Sequence, residues 1–145
     1  MLMGCYLREG KVYVPVQAKT EAGFYMDIEP VEVAAVPDTE GLRRALLATY
    51  ARGNPGVPTP ARNERSKPVV LRHAGVKSWA RFAHNADVWQ MDLRRGACRI
   101  IGQQRSADGG WVDDPDQVIT FPPDAGIEAV VERLVTILQA VARDG

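Results

Sequence analysis

The stretch that decides the fold is LREGKVYVPVQAKTEAGFYMDIEPVEVAAVPD, residues 7–38. The same pattern returns without a gap as LRRGACRIIGQQRSADGGWVDDPDQVITFPPD, residues 93–124. Eight of the 32 aligned positions are identical, against the roughly two expected from average composition. The chain is therefore predicted to use one supersecondary unit twice. The identical pairs are Leu7/Leu93, Arg8/Arg94, Gly10/Gly96, Gln17/Gln103, Gly23/Gly109, Asp27/Asp113, Pro37/Pro123 and Asp38/Asp124.

In the first copy, β-rich runs alternate with turn residues and lead into a helical pattern. The runs CYLREG, KVYVPVQAK, GFYMDIE and VEVAAV are separated at Glu9-Gly10, at residues 21–23 and at Pro30. Asp38 is predicted to cap a helix that ends at Gly53, because a carboxylate accepts from free N–H groups at a helix start. The unit is interpreted as four antiparallel strands and a helix. The predicted buried stripe of that helix is Leu42, Ala45, Leu46 and Thr49 or Tyr50.

The second copy repeats this order after a connecting segment. Residues 53–68 are rich in proline and polar residues and predict a connection. VVLRHAG, residues 69–75, is interpreted as a strand, and Ser78 is predicted to cap a short helix in SWARFAHNA. After the second copy, Pro123-Asp124 is expected to open a final helix. Its apolar residues follow helical spacing: Ile127, Val130, Val131, Leu134, Leu138 and Val141.

The predicted fold class is α+β, with two ββββα repeats that pack with pseudo-twofold symmetry, because neither unit buries its apolar surface alone. One domain, residues 1–145, is expected, with a first unit at 4–52, a linker and insert at 53–87, and a second unit at 88–143. This order of elements is similar to that of the Whirly and PC4-like single-strand DNA-binding proteins. That resemblance implies an alternative function, the binding of single-stranded nucleic acid.

Composition limits the classes of partner. Lysine plus arginine and aspartate plus glutamate each total 18, so no basic field draws in nucleic acid, and this argues against it as a partner. Cys5 and Cys98 form no CxxC motif, which is typical of free thiols in a reducing compartment and predicts a cytoplasmic protein. No leader sequence and no apolar run of about 20 residues occurs, so no membrane association is expected.

Catalytic chemistry has little support in the sequence. The motifs GxGxxG, GxxxxGK[ST], GxSxG and HExxH are absent. His73 and His84 are the only histidines, and neither has an evident nucleophile or a metal-ligand spacing beside it. We therefore expect no enzyme, no catalytic residue, no metal and no cofactor.

One acidic segment is the best candidate for a binding surface. DGGWVDDPDQ, residues 108–117, places Asp108, Asp113, Asp114 and Asp116 around Trp111, and carboxylates beside an aromatic ring can bind a basic partner. The alternative is a solvated hairpin turn, since turns favour aspartate and glycine. A second segment, residues 77–89, contains Trp79 and Trp89 among basic residues. It is either core or a face that stacks on bases.

KPVVLRHAGVKSWARFAHNADVWQMD, residues 67–92, together with GGWVDDPDQVITFPPD, residues 109–124, resembles small immunity proteins of bacterial contact-dependent growth inhibition (CDI) systems. The resemblance is clearest over residues 68–123. It implies a cytoplasmic inhibitor, encoded beside a toxin, that covers the active site of the toxin's C-terminal domain. Many such toxins are nucleases with basic clefts, which an acidic surface would fit. Homodimerisation through edge strands is left open.

Overall fold

The computed structural model describes residues 1–64 and 67–144, and within them seven strands form one sheet. Its strands are β1 (Leu2–Arg8), β2 (Lys11–Thr20), β3 (Tyr25–Ala35), β4 (Gly56–Val57), β5 (Ala86–Arg94), β6 (Ala97–Arg105) and β7 (Trp111–Thr120). The order is β3-β2-β1-β5-β6-β7, with antiparallel neighbours throughout, and β4 pairs in parallel with the end of β2. The predicted α+β class is the one observed, although both halves share one sheet.

Two long helices cover one face of the sheet, which we call the helix face. These are α1 (Thr39–Arg52) and α4 (Ile127–Asp144), and Arg43 of α1 bonds to Glu132 of α4. As predicted, α1 starts at Asp38, whose Oδ1 accepts from the Gly41 N–H at 2.9 Å, and ends at Gly53. The core lies between helices and sheet. Its buried members include Met3, Cys5, Leu7, Val12, Val14, Leu42, Leu46, Trp89, Met91, Ile100, Val130, Val131, Leu134 and Leu138.

The predicted count of four strands in each repeat is wrong, because each half contributes three long strands. Most of GFYMDIE and VEVAAV lies in the single strand β3, Tyr25–Ala35. Its pairing with β2 continues on both sides of Glu29 and Pro30, which bulge out of the ladder at the register shift beside Pro15. Proline lacks a donor for the ladder, and a bulge accommodates it without ending the strand. The Whirly-like order of elements is therefore not the one observed.

At the centre of the sheet β1 pairs with β5. There Gly4 lies opposite Gln90, the residue 86 positions further along the chain. The same offset relates the two hairpin glycines, Gly10 and Gly96, which have φ values of 77° and 76°. Such left-handed values favour glycine over any residue with a Cβ. Thus the offset of 86 that relates the two sequence copies also relates one paired position, Gly4 and Gln90, in the middle strands.

The insert, residues 53–85, adds β4 to the sheet and places its short helices on the face opposite α1 and α4. It contains a 3₁₀ turn (Arg62–Glu64) and two short helices, α2 (Val70–Ala74) and α3 (Trp79–His84); residues 65 and 66 lie outside the described ranges. The strand predicted at residues 69–75 is wrong. Val70 and Leu71 instead lie in the first turn of α2, and both are buried. The helix ends at Gly75, which adopts the left-handed conformation. Ser78 caps α3 as predicted, accepting from the Arg81 N–H at 3.2 Å.

None of the helices in the described residues is both long enough and apolar enough to span a bilayer.

Candidate functional site

The predicted acidic segment lies at one edge of the sheet. Asp113, Asp114 and Asp116 belong to β7, an edge strand, and we call these three residues the β7 carboxylate row. Trp111 begins the same strand, and Asp108 lies in the preceding turn. The hairpin-turn interpretation therefore holds for Asp108 alone. The other aspartates are strand residues with backbone fixed by the sheet.

Neighbouring aspartates of the row point to different faces. Asp113 accepts a hydrogen bond from Gln103 of β6. Gln103 follows Gly102, whose missing side chain would point at Trp89 in the core, so Gln103 and Asp113 lie on the face opposite the long helices. Asp114 instead accepts from Gln117 Nε2 at 3.1 Å, and Gln117 packs over Gly102 on the helix face.

A bulge separates the two ends of β7. Val118 pairs with Ile101 and Asp113 pairs with Gln103, so residues 114–117 oppose a single residue of β6. Within this bulge the Asp116 N–H donates to Asp114 Oδ1 at 3.0 Å. Asp116 itself is exposed. The row thus presents carboxylates along an edge and on both sides of it.

Trp111 and Asp108 have local structural contacts. The guanidinium of Arg105 lies over the Trp111 ring, 5.2 Å from its centroid, and the buried indole N–H has no partner among the described residues. Asp108 Oδ1 accepts from the Ser106 hydroxyl and from the Gly110 N–H. The Ser106 bond is the main cause that lowers the pKa of Asp108. Asp108 therefore closes the turn before β7.

Aromatic packing distinguishes the two tryptophans of residues 77–89. Trp89 is 7% exposed and belongs to the helix-face core. Trp79 stacks on the buried Phe82, with ring centroids 5.6 Å apart and planes 21° apart. Both tryptophans are thus packed against the protein, which leaves no pair of free rings for stacking on bases. The edge of Trp79, however, borders a cleft.

This cleft has a volume of about 450 Å³ and lies between β3, α3 and the chain before α2. We call it the Asp27 cleft. Of its lining residues, the sequence patterns predicted only Trp79 as part of a candidate site. It is lined mainly by apolar groups: Tyr6, Phe24, Met26, Ile28, Pro60, Pro68, Val69 and Trp79, with Asp27, Glu29 and Lys67 as the charged residues.

A hydrogen-bonded carboxylate lies at the cleft. The Tyr6 hydroxyl donates to Asp27 Oδ2 at 2.6 Å, and Gln17 Nε2 donates to Oδ1 at 3.2 Å. Burial raises the pKa of Asp27, although the bonds from Tyr6 and Gln17 act in the opposite direction. Burial likewise raises the pKa of Tyr6 well above its ordinary value. Tyr6 therefore stays a neutral donor toward the carboxylate.

One sequence signal pointed to this carboxylate. Gln17 and Asp27 are identical to Gln103 and Asp113 in the repeat, and each pair forms the same cross-strand hydrogen bond. The repeated residues therefore make the same contact in both halves. It does not show that the first pair is enclosed, because Trp79 comes from the insert, which only the first half carries.

The rim of the cleft contains an ion-pair cluster. Glu29, in the bulge of β3, accepts from Arg72 Nη2 at 2.6 Å and lies 2.9 Å from His73 Nε2. The His73 hydrogen bond is the largest cause that lowers the pKa of Glu29. These contacts join β3 to α2 and neutralise the glutamate. They do not reach Asp27.

Cys5 and Cys98 are free; Cys5 is fully buried, and burial raises its pKa to about 12. Its thiol is therefore protonated and shielded at neutral pH. Within residues 1–64 and 67–144, no three histidine, cysteine or acidic side chains are grouped to hold a metal ion.

Known proteins resemble this chain in fold. No protein-family model and no curated protein matches it. A protein of unknown function from Neisseria meningitidis superposes with a TM-score of 0.64 at 12% identity, over 92% of each chain. A chain from a CdiA-CT/CdiI toxin and immunity complex of Yersinia pseudotuberculosis superposes with a TM-score of 0.60 at 9% identity, over 94% of this chain and 95% of that one. These superpositions show a shared fold.

Proposed function

We propose that this chain is an immunity protein that binds and neutralises the C-terminal domain of a cognate bacterial toxin. The observation that carries the proposal is the near-complete overlap with a chain from a toxin and immunity complex. The resemblance of residues 68–123 to CDI immunity proteins supports the same assignment independently of the coordinates. The protein then acts in the cytoplasm, by occupying a surface of the toxin, and needs no turnover.

The proposed contact surface is the β7 carboxylate row with Trp111 and Asp108 beside it. Asp113 and Asp116 are exposed, and strand pairing with β6 fixes the backbone on which the row stands. A fixed row of negative charge suits a basic cleft, such as that of a nuclease, because complementary charge accelerates association. Blocking of the toxin's active site follows from coverage of that cleft.

The proposal predicts rescue in cells. Cells that express the C-terminal toxin domain encoded directly upstream should grow only when this chain is also expressed. The purified domain should form a complex with the chain. Toxicity that this chain does not relieve, or the absence of a toxic neighbour, would count against the immunity function.

The surface is tested separately with charge-neutral variants. The triple variant Asp113→Asn, Asp114→Asn, Asp116→Asn should slow association with the toxin domain by at least about tenfold at low salt. A matched control changes three exposed acids elsewhere: Glu21→Gln, Asp124→Asn and Asp144→Asn. Equal association rates for both triple variants would remove the row from the interface and leave the immunity function untouched.

We also infer that the two halves descend from one duplicated unit of three strands and a helix, related by a twofold axis between Gly4 and Gln90. The register of β1 and β5 and the matching bulges in β3 and β7 support this inference. Superposition of residues 2–52 on 88–138 at a constant offset of 86 tests it. A best fit at another offset would argue against duplication.

A further inference from the structure

Within the described residues, no cation pairs with the Asp27 carboxylate. Its two oxygens accept from the neutral donors Tyr6 and Gln17, and in residues 1–64 and 67–144 no lysine, arginine or histidine pairs with it. Each oxygen keeps a lone pair for a further donor. A half-buried anion without a cation is costly, so a ligand that supplies one gains from the pairing.

Among the described residues, the cations around the cleft have hydrogen-bond partners. Arg72 and His73 bind Glu29, and the Lys67 ammonium donates to the Lys77 carbonyl at 3.1 Å. Lys67 keeps its charge, because a carbonyl is neutral, and Asp27 is the acid of the lining that no described cation pairs with. Among the described residues, Glu29 at the rim is thus paired with cations, whereas Asp27 in the cleft is not.

The walls favour a flat cation with an apolar stem. Tyr6 and Trp79 meet edge to face, with ring centroids 5.9 Å apart, and both line the cleft. Met26 and Val69 add aliphatic surface. A guanidinium is planar, weakly hydrated, stacks on aromatic rings and pairs with a carboxylate, whereas an ammonium is compact and strongly hydrated. The lining thus fits an arginine side chain better than a lysine side chain.

We propose that the Asp27 cleft receives an arginine side chain of the bound toxin domain. This inference rests on the proposed function and deepens it, because it adds a specific anchor to the charge-steered surface at β7. Asp27 and Asp113 lie on the same face of the sheet, since each bonds to a glutamine that points away from the long helices. They stand at opposite edges of the sheet, on β3 and β7, so a partner that contacts both must span that face.

The corresponding site in the second half lacks this character. Asp113 has its glutamine but is exposed, and no insert encloses it. Its charge is hydrated and suits steering, while the charge of Asp27 is sheltered and suits a lasting pair. The two aspartates should accordingly affect different rate constants.

The first test uses the wild-type protein and no toxin. Titration with ethylguanidinium should shift the NMR signals of the Asp27 carboxyl and the Trp79 indole, and ethylammonium should shift them less. The variant Asp27→Asn should lose the ethylguanidinium response, while Glu21→Gln keeps it. A wild-type protein whose Asp27 and Trp79 signals do not respond to ethylguanidinium overturns the inference, whatever the toxin experiments show.

The second test measures the complex. Asp27→Asn should increase dissociation of the toxin domain by about 30-fold or more and leave the salt dependence of association in place, since loss of a sheltered pair acts on the off-rate. Thermal unfolding confirms that the variant is folded. If wild-type protein binds the toxin domain and Asp27→Asn dissociates at the same rate, the cleft inference fails and the immunity function stands. If wild-type protein binds no toxin domain, the immunity function itself fails, and the toxin as the source of the arginine fails with it.

Discussion

Arg8 and Arg94 hold the same place in the two sequence copies, yet their surroundings differ. The Arg8 side chain is 8% exposed beneath the insert, and its guanidinium lies 5.6 Å from the centre of the Phe82 ring. Arg94 is 66% exposed and pairs with Asp92 on its own strand. Both arginines end a strand, β1 and β5, so their places in the sheet correspond while their surroundings differ. The insert then decides which copy becomes a sheltered site.

The largest expected effect comes from removing the anchor of the insert. Phe82 is fully buried and contacts Tyr6, Tyr13 and Trp79 through its ring. Phe82→Ala should lower the free energy of unfolding by about 3–5 kcal/mol, because it leaves a cavity under the insert. Denaturant unfolding measures the loss. The Phe82→Ala substitution should make the first half resemble the second half, which the insert does not cover.

The matched control for this variant is Val112→Ala on the edge strand of the second half. Val112 is 46% exposed, so its loss should change the free energy of unfolding by less than about 0.5 kcal/mol. Similar losses for the two variants would mean that the insert contributes little to the stability of the first half.

A second pair of variants tests what the halves share. Gly10 and Gly96 have the same left-handed φ, and an added Cβ would meet no atom within 4 Å at either position. Alanine at each should therefore cost backbone strain alone, about 1–2 kcal/mol. Equal losses in denaturant unfolding of Gly10→Ala and Gly96→Ala would sharpen the comparison. A much larger loss at one of them would show that the two hairpins differ in more than sequence.

Asp38 and Asp124 provide a smaller contrast. Asp38 caps α1, whereas α4 begins at Ile127 and its first backbone bond goes to Gly126. Asp38→Ala should lower the free energy of unfolding by about 1 kcal/mol, the usual effect of losing a cap. Asp124→Ala should lower it by less than about 0.5 kcal/mol, as at other exposed sites. Equal effects on the denaturation midpoint would contradict the different roles of these identical residues.

Local patterns predicted the elements that local chemistry controls. The caps at Asp38 and Ser78, the end of α1 at Gly53 and the apolar stripes of both long helices depend on residues three or four positions apart. The strand count failed at Pro30, because a break and a bulge have the same local signature. β3 pairs with β2 on both sides of that proline, which identifies a bulge. Because this pairing joins residues far apart in sequence, a local pattern does not predict it.

The candidate sites divide along the same line. The acidic segment before and within β7 was visible because its members are neighbours in sequence, although its turn ended at residue 110 and its aspartates face both ways. The Asp27 cleft joins Tyr6, Asp27 and Trp79 from two strands and the insert. No spacing in the sequence marks such a set. The one sequence signal for its carboxylate was the glutamine and aspartate pair that both copies contain, Gln17 and Asp27 in the first.

The smallest expected effect separates two acids of β3 by the sign of their pH dependence. Burial raises the pKa of Asp27 above 3.8, so the folded state keeps its proton longer and stability falls as pH rises from that ordinary value through the raised pKa. Contacts with His73 and Arg72 lower the pKa of Glu29 below 4.5, so its contribution is present above that value and is lost as pH falls through the lowered pKa.

The measurement is a denaturation midpoint followed between about pH 3 and pH 7, where carboxyl groups titrate. Asp27→Asn should remove the loss of stability on the alkaline side, and Glu29→Gln should remove the loss on the acid side by less than about 1 kcal/mol, since exposed pairs contribute little. The variants control for each other because the expected changes have opposite signs. Two profiles displaced in the same direction would mean that the sheltered carboxylate and its rim respond as one cluster, and the electrostatic separation of the Asp27 cleft from its rim would be wrong.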